Sequence, residues 1–295
     1  MESDQVLSAL PAIQRPMWLA CAMAPDLPVY NEAESFRLEG ALDRAALVAA
    51  LDELYRRHPA LRSVVLDREG LPYVATLPAA SFPLEELDLR GRPQARQLGE
   101  RAAQEAVRRA FDLSAGPLAR ACLIHSADEE WLLVLVLHHL VSDDESVRVL
   151  LDELGALYSG TALPVAQGDP AAAQRSLEVP PNGPVARADL AYWRDQLAGL
   201  PERLTIPTDR PLSGYPDQLG KRHQLRLEDG WFARVQATAA ALRCSPFAVV
   251  NAAVSAVLAR LARTEDVVVG STVNMRSEAE AEDLVGYFMK TVPLR

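Results

Sequence analysis

Apolar and polar positions along this chain sort into helical stripes and strand-like runs. In ALDRAALVAALDELYRRH, Leu47, Leu51 and Leu54 are spaced four and three apart, one stripe of an amphipathic helix, with Asp43 placed near its start. SFRL around Phe36 and Leu38, SVVLD from Ser63, PYVATL from Pro72 and LARACLIH from Leu118 predict strands. DREG predicts the turn that joins the second and third as a hairpin, and RQLGERAAQEAVRRAF a further helix. WLLVLVL, from Trp131 to Leu137, has no polar alternation, which predicts a central strand covered on both faces of a layered α/β unit. After SDD, Val147, Leu150, Leu151, Leu154 and Tyr158 recur at helical spacing. The intervening HHLVSDD therefore sits at a corner between strand, loop and helix.

From Ser159 to about Arg187 the chain turns rich in Pro, Gly and Ala and poor in large apolar residues, the composition of a linker. Beyond it, DLAYWRDQL predicts a helix, IPTDRPLSGYP turns, HQLRL a strand, and a further helix begins near Trp231. PFAVVNAAVSAVLARL is an almost wholly apolar helix, expected to be buried on most sides, and DVVVGSTV a β-branched strand. The ending VGYFMKTVPLR is itself a strand pattern. The expected organisation is α/β throughout, with a first lobe over residues 1–165, a linker over 166–187 and a second lobe over 188–295.

Composition narrows the function classes. The 295 residues are 49% hydrophobic, enough for a substantial core, with mean hydropathy near zero. Forty acidic against 30 basic residues give a net charge of −10, and no basic run answers a nucleic-acid backbone. No stretch reaches the ~20 apolar residues of a membrane span, and the start carries no signal-peptide pattern, so a soluble cytoplasmic protein is expected. Cys21, Cys122 and Cys244 are widely separated and odd in number, which suggests neither a disulfide framework nor a zinc site; all three are expected to be buried thiols.

Two of the five histidines, His138 and His139, stand together at the end of the most strand-like run. Adjacent residues of a strand point to opposite faces, so both cannot serve one site, and they lack the helical spacing that lets two imidazoles converge on a metal. An imidazole where a strand meets a loop can act as a general base near neutral pH. Asp143 could pair with a buried arginine, since a carboxylate removed from water needs a partner. The plainer alternative keeps both histidines as hydrogen-bonded core residues and Asp143 and Asp144 as caps of the following helix. His58, His125 and His223 are expected to be structural or surface residues, and Trp18 and Trp193 packing anchors.

HHLVSDD resembles the His-His-x-x-x-Asp-Gly motif of the condensation domains of nonribosomal peptide synthetases, within the chloramphenicol-acetyltransferase-like acyltransferases. Gln14, Arg15 and Trp18 in IQRPMW, followed by Tyr30 and Asn31, resemble the family's opening motif, and RHPALR its Arg-His-Glu-x-Leu-Arg. FDLSAGPLAR, AYWRDQLAGLP and IPTDRP are similar to its connecting signatures, and DVVVGSTVNMR with VGYFMKTVPLR to its late Gly-x-Phe-Val-Asn-Thr region. The resemblance covers nearly the whole chain, in the family's order. It implies two acetyltransferase-like lobes in a V shape, the second one incomplete here, with the active site in a tunnel between them. By the same resemblance His139 engages the attacking amine, His138 is mainly structural, and Asp143 is held by an arginine, with Arg62 and Arg276 at matching positions. The substrates would arrive on the phosphopantetheine arms of donor and acceptor carrier-protein domains, with no cofactor or metal bound directly.

The departures bear on function. Asp144 replaces the motif glycine, which would put a charge beside the loop that favours protonated His139, and Lys290 replaces the late asparagine. The linker lacks the family's aromatic residues, and the chain stops soon after the late motif, as a truncated domain would. The leading expectation is amide formation in the biosynthesis of a peptide natural product. One alternative is a degenerate domain that recruits a tailoring enzyme such as a haem monooxygenase, and the other an acyltransferase using a CoA-bound or soluble partner.

Overall fold

The computed structural model describes residues 7–165, 168–178, 180, 182–200, 204–209, 223–276 and 282–295. They form two compact units, one of residues 1–178 with 274–290 and the other of residues 179–273 with 291–295. The division is not contiguous in sequence. Residues 274–290, counted with the second lobe by their place in the chain, pack in the first unit.

The first unit is built on a sheet of β2 (Asn31–Glu39), β7 (Glu130–His138), β6 (Ala119–Ala127) and β5 (Leu84–Asp88), in that order. β7 runs antiparallel to both β2 and β6, whereas β5 joins parallel to β6. The unalternating run of β7 is thus central, and both its faces are covered. Leu133, Leu135 and Leu137 enter a core with Leu47, Leu51 and Leu54 of α2 (Arg44–Arg57) and with Val149 and Leu150 of α4 (Asp144–Tyr158). Val134 and Val136 face the other way, into a smaller core with Ala106 of α3 (Ala95–Arg108). Each such buried Val or Leu contributes roughly 1.5–3 kcal/mol.

Local signals set the helix starts. Asp43 caps α2 by accepting a hydrogen bond from the Ala46 amide at 3.0 Å, and Asp143 caps α4 from the Ser146 amide at 2.9 Å. β3 (Ser63–Arg68) and β4 (Leu71–Thr76) form the expected hairpin, with Glu69 and Gly70 both at positive φ in its turn. β4 also pairs with the two-residue β1 (Ser8–Ala9). Sequence patterning did not single out β1, β5 or α1 (Arg15–Met23), the first two because a short edge strand has little periodicity to read.

Three expectations are corrected by this architecture. The segment taken as linker contains α5 (Pro170–Ser176), and Gln174 on it is buried, donating to the Tyr287 carbonyl at 2.8 Å. Around HQLRL the described residues, 223–228, form no strand, because alternating residues become a strand only beside a partner, and here they lie exposed. In the second unit α6 (Pro184–Gln196) and α7 (Trp231–Leu242) form as expected, but α8 (Pro246–Ala262) is not buried on most sides. Phe247, Val254, Val257 and Leu261 are exposed, and β8 (Val269–Asn274) and β9 (Met289–Leu294) pair in a two-stranded sheet. The IPTDRPLSGYP turns fall largely outside the described residues. No single described helix is long and apolar enough to cross a membrane, and α7 with α8, which pass together by composition, are bent by 99°.

Candidate active site

β2 and β7 bring the motif histidines to the end of the central strand, and their register decides which neighbours each acquires. Asn31 lies opposite His138 and Glu32 opposite Leu137, while the His139 amide donates to the Tyr30 carbonyl at 2.9 Å. Side chains alternate along a strand, so His138 shares a face with Asn31, and His139 shares the opposite face with Leu137 and Glu32.

On the α3 face, His138 is buried and its ring nitrogens are both engaged. Nδ1 accepts from the Leu140 amide at 3.1 Å, which leaves the proton on Nε2, 3.7 Å from Cys21 Sγ. Burial, then the proximity of His139 and Arg120, push its pKa down to about 4. The adjoining loop is tied to α3 by Asn31, whose amide donates to the Val107 and Arg109 carbonyls at 2.7 and 2.9 Å. A cavity of about 490 Å³ opens on this side, lined among others by Trp18, Cys21, Phe111 and His138. Neutral and spoken for at both nitrogens, His138 has no capacity for proton transfer into that cavity. Cys21 is no better suited to nucleophilic chemistry, since burial pushes its thiol up to about 11.

On the other face, His139 is partly exposed and held from one side. Its Nδ1 lies 2.7 Å from Glu32 Oε1 and 2.9 Å from the Ser142 carbonyl oxygen. Both are acceptors, so Nδ1 carries a proton in either charge state, and Nε2 makes no hydrogen bond to any described residue. The Ser142 hydroxyl donates to Glu32 Oε2 at 2.5 Å, and the Tyr287 ring stands edge-on to the imidazole, 5.0 Å away at 78°. Burial works against a charged His139, but the hydrogen bond and charge of Glu32, the Ser142 carbonyl and Asp143 outweigh it, so its pKa lies above the ordinary histidine value.

Asp143 is fully buried and has both sequence-derived roles at once. Besides capping α4, it accepts two hydrogen bonds from Arg276, Nη1 to Oδ2 at 2.5 Å and Nη2 to Oδ1 at 2.8 Å, and a third from the Phe288 amide at 3.0 Å. The Arg276 side chain is 2% exposed, lies 4.4 Å over the Phe288 ring, and also donates to the carbonyls of Leu284 and Gly286. Ser146 accepts from the Gly286 amide at 3.0 Å, so Arg276 and residues 284–288 are laced to the first turn of α4.

Other residues singled out by sequence lie elsewhere. Arg62 is not beside Asp143: it donates to the carbonyls of Tyr55, Leu77 and Arg56, clamping the turn after α2. Asp144 is exposed in the first turn of α4, and the carboxylates acting on His139 are Glu32 and Asp143 instead. Its helical position also needs no glycine. Lys290 is exposed on β9 and is not among the partners of His139. Cys122 is buried and Cys21 only partly so, but Cys244 is exposed in the turn after α7. His58 is buried against Glu153, His125 stacks on Trp131 with centroids 3.4 Å apart, and His223 is exposed. Glu32 went unnoticed in the sequence, although it directly follows Tyr30 and Asn31; only the β2–β7 register shows that it lies diagonal to His139. Among the described residues no group of three or more His, Cys, Asp or Glu could hold a metal ion.

An α/β unit with a histidine pair split across a central strand, and an aspartate locked to arginine, defines the acetyltransferase-like class. The condensation-domain family matches residues 5–295, and the chain belongs to that family. It is 36% identical over 293 residues to phosphinothricin tripeptide synthetase PhsB of Streptomyces viridochromogenes, covering 96% of this chain and 24% of that protein. Among solved structures it is similar to the first condensation domain of the calcium-dependent antibiotic synthetase in complex with a substrate analogue, with TM-score 0.79 and 26% identity, over 98% of this chain and 70% of that one. It is also similar to the X-domain from teicoplanin biosynthesis, with TM-score 0.84 and 26% identity, over all of this chain and 66% of that one. The chain spans 4% to 24% of the length of the first curated relatives it matches. Peptide-bond formation in nonribosomal synthesis is the general chemistry of the family.

Proposed function

We propose that this chain condenses a donor acyl or peptidyl group, carried as a thioester on one phosphopantetheine arm, with the amine of an acceptor carried on another. The observation that carries the reading is the asymmetry of the histidine pair: His138 is buried with both nitrogens occupied, whereas His139 is partly exposed and its Nε2 makes no hydrogen bond to any described residue. The acceptor amine attacks the thioester carbonyl, the C–N bond forms, and the C–S bond breaks. One amine proton passes to Nε2 of His139 and on to the departing thiolate, so no covalent enzyme intermediate arises. Asp143 and Arg276 fix the loop and take no part in proton transfer.

The test is intact-mass detection of condensed product with loaded donor and acceptor carriers. His139→Ala in the full chain is expected to slow single-turnover condensation by ~10²–10⁴-fold while leaving the fold intact. An unchanged rate would remove His139 from the reaction. A second reading, recruitment of a tailoring enzyme, draws on the likeness to the X-domain, which has also been solved in complex with OxyB. The open Nε2 of His139 favours catalysis over it. Saturable binding of a tailoring enzyme, with no product from any carrier pair, would reverse that preference.

A further inference from the structure

Resting on the reading of His139 as the group that handles the amine proton, we infer that Glu32 is its positioning residue, a carboxylate that orients the imidazole and faces the charge formed on it. Three observations converge. Glu32 Oε1 lies 2.7 Å from Nδ1, on the opposite side of the ring from the open Nε2. Its second oxygen accepts from the Ser142 hydroxyl at 2.5 Å, and the carbonyl of the same residue is the other acceptor at Nδ1, so loop and carboxylate fix the ring plane together. Among the described residues no arginine or lysine pairs with Glu32, which leaves its charge directed at His139 alone.

The consequence is chemical. With Nδ1–H shared between two acceptors, neutral His139 exists as the tautomer whose lone pair is on Nε2, the form able to receive a proton from the amine. When that proton arrives, the imidazolium forms against a carboxylate already in place, and no reorganisation is needed. The other ionisable groups facing the ring are Asp143, already committed to Arg276, and Tyr287 at the ring edge; His138 lies on the opposite face. Glu32 is therefore the carboxylate free to respond to the charge on His139.

Glu32→Gln keeps size and shape and removes the charge. Because Glu32 holds the His139 pKa up, the variant should titrate His139 at lower pH, and the acidic limb of the condensation pH–rate profile should move to lower pH with it. Loss of an orienting carboxylate costs ~10⁴-fold where the tautomer is lost as well. Ser142 still holds Nδ1–H here, so kcat should fall on the order of 10-fold or more with KM unchanged. The measurements are histidine ring titration by NMR on the intact chain and the pH–rate profile with loaded carriers. A His139 titration that does not move overturns the pairing, whatever the activity. A titration that moves while kcat and the acidic limb stay put overturns the positioning role. If His139→Ala proves fully active in condensation, the reading of His139 as the group that handles the amine proton fails instead, and the titration still reports on the pair.

Discussion

Asp143 and Arg276 are 0% and 2% exposed at their side chains, so removing either leaves a buried charge without its partner. Asp143→Ala is expected to destabilise the first unit by about 3–5 kcal/mol and to abolish condensation, because the carboxylate both caps α4 and holds Arg276. His139→Ala, at a partly exposed site, should leave the denaturation midpoint nearly unchanged. Equal midpoints for the two variants in urea unfolding would contradict the division between architecture and chemistry. At Asp144 the expectation reverses the one drawn from the family motif. Its carboxylate is solvated in the first turn of a helix, so Asp144→Gly should cost about 1 kcal/mol in stability through helix propensity and the helix dipole. The acidic limb of the rate profile should stay where it is, and a clear movement would show that Asp144 reaches His139 after all.

At the scale of elements, α2 and α4 are joined by more than their leucines. Glu153 of α4 accepts from Arg57 at the end of α2 through both oxygens, each at 2.9 Å, and lies 2.8 Å from His58 Nε2. Burial would raise the Glu153 pKa, but His58 and Arg57 more than offset it and hold it down to about 2. A carboxyl whose folded pKa is depressed stabilises the fold fully above its unfolded value, near 4.5, and loses that contribution as pH falls through the folded value. Stability measured by urea unfolding should therefore decline between pH 4.5 and 2. In Glu153→Gln the curve should be flatter over the same interval and lower above it. A variant curve parallel to wild type would mean that Glu153 is not the linked group. The RHPALR segment thus has a structural task at both ends, with Arg57 and His58 on α4 and Arg62 on the turn that leads into β3.

For the whole molecule, the return of residues 274–290 to the first unit is the decisive feature. Phe288 is 1% exposed, its amide donates to Asp143, and its ring lies under Arg276. Phe288→Ala should cost about 3–5 kcal/mol by cavity formation and weaken condensation through Asp143, although it is 145 positions away in sequence. A loss below 1 kcal/mol would show that the late segment is only loosely docked. Much of the first unit was legible beforehand, because periodicity and capping are local: the stripe of α2, the unalternating β7, the DREG hairpin and Asp43 each declare themselves within a few residues. Strand alternation separated His138 from His139, and motif order pointed to Asp143, with Arg62 and Arg276 as its two candidate partners. What lay beyond the sequence depended on contacts between distant segments. It could not say which of Arg62 and Arg276 meets Asp143, that Glu32 rather than Asp144 faces His139, or that HQLRL finds no partner strand among the described residues. Pairing register and packing decide these, and both are set by free energies summed over the whole unit, to which no short stretch of residues has access.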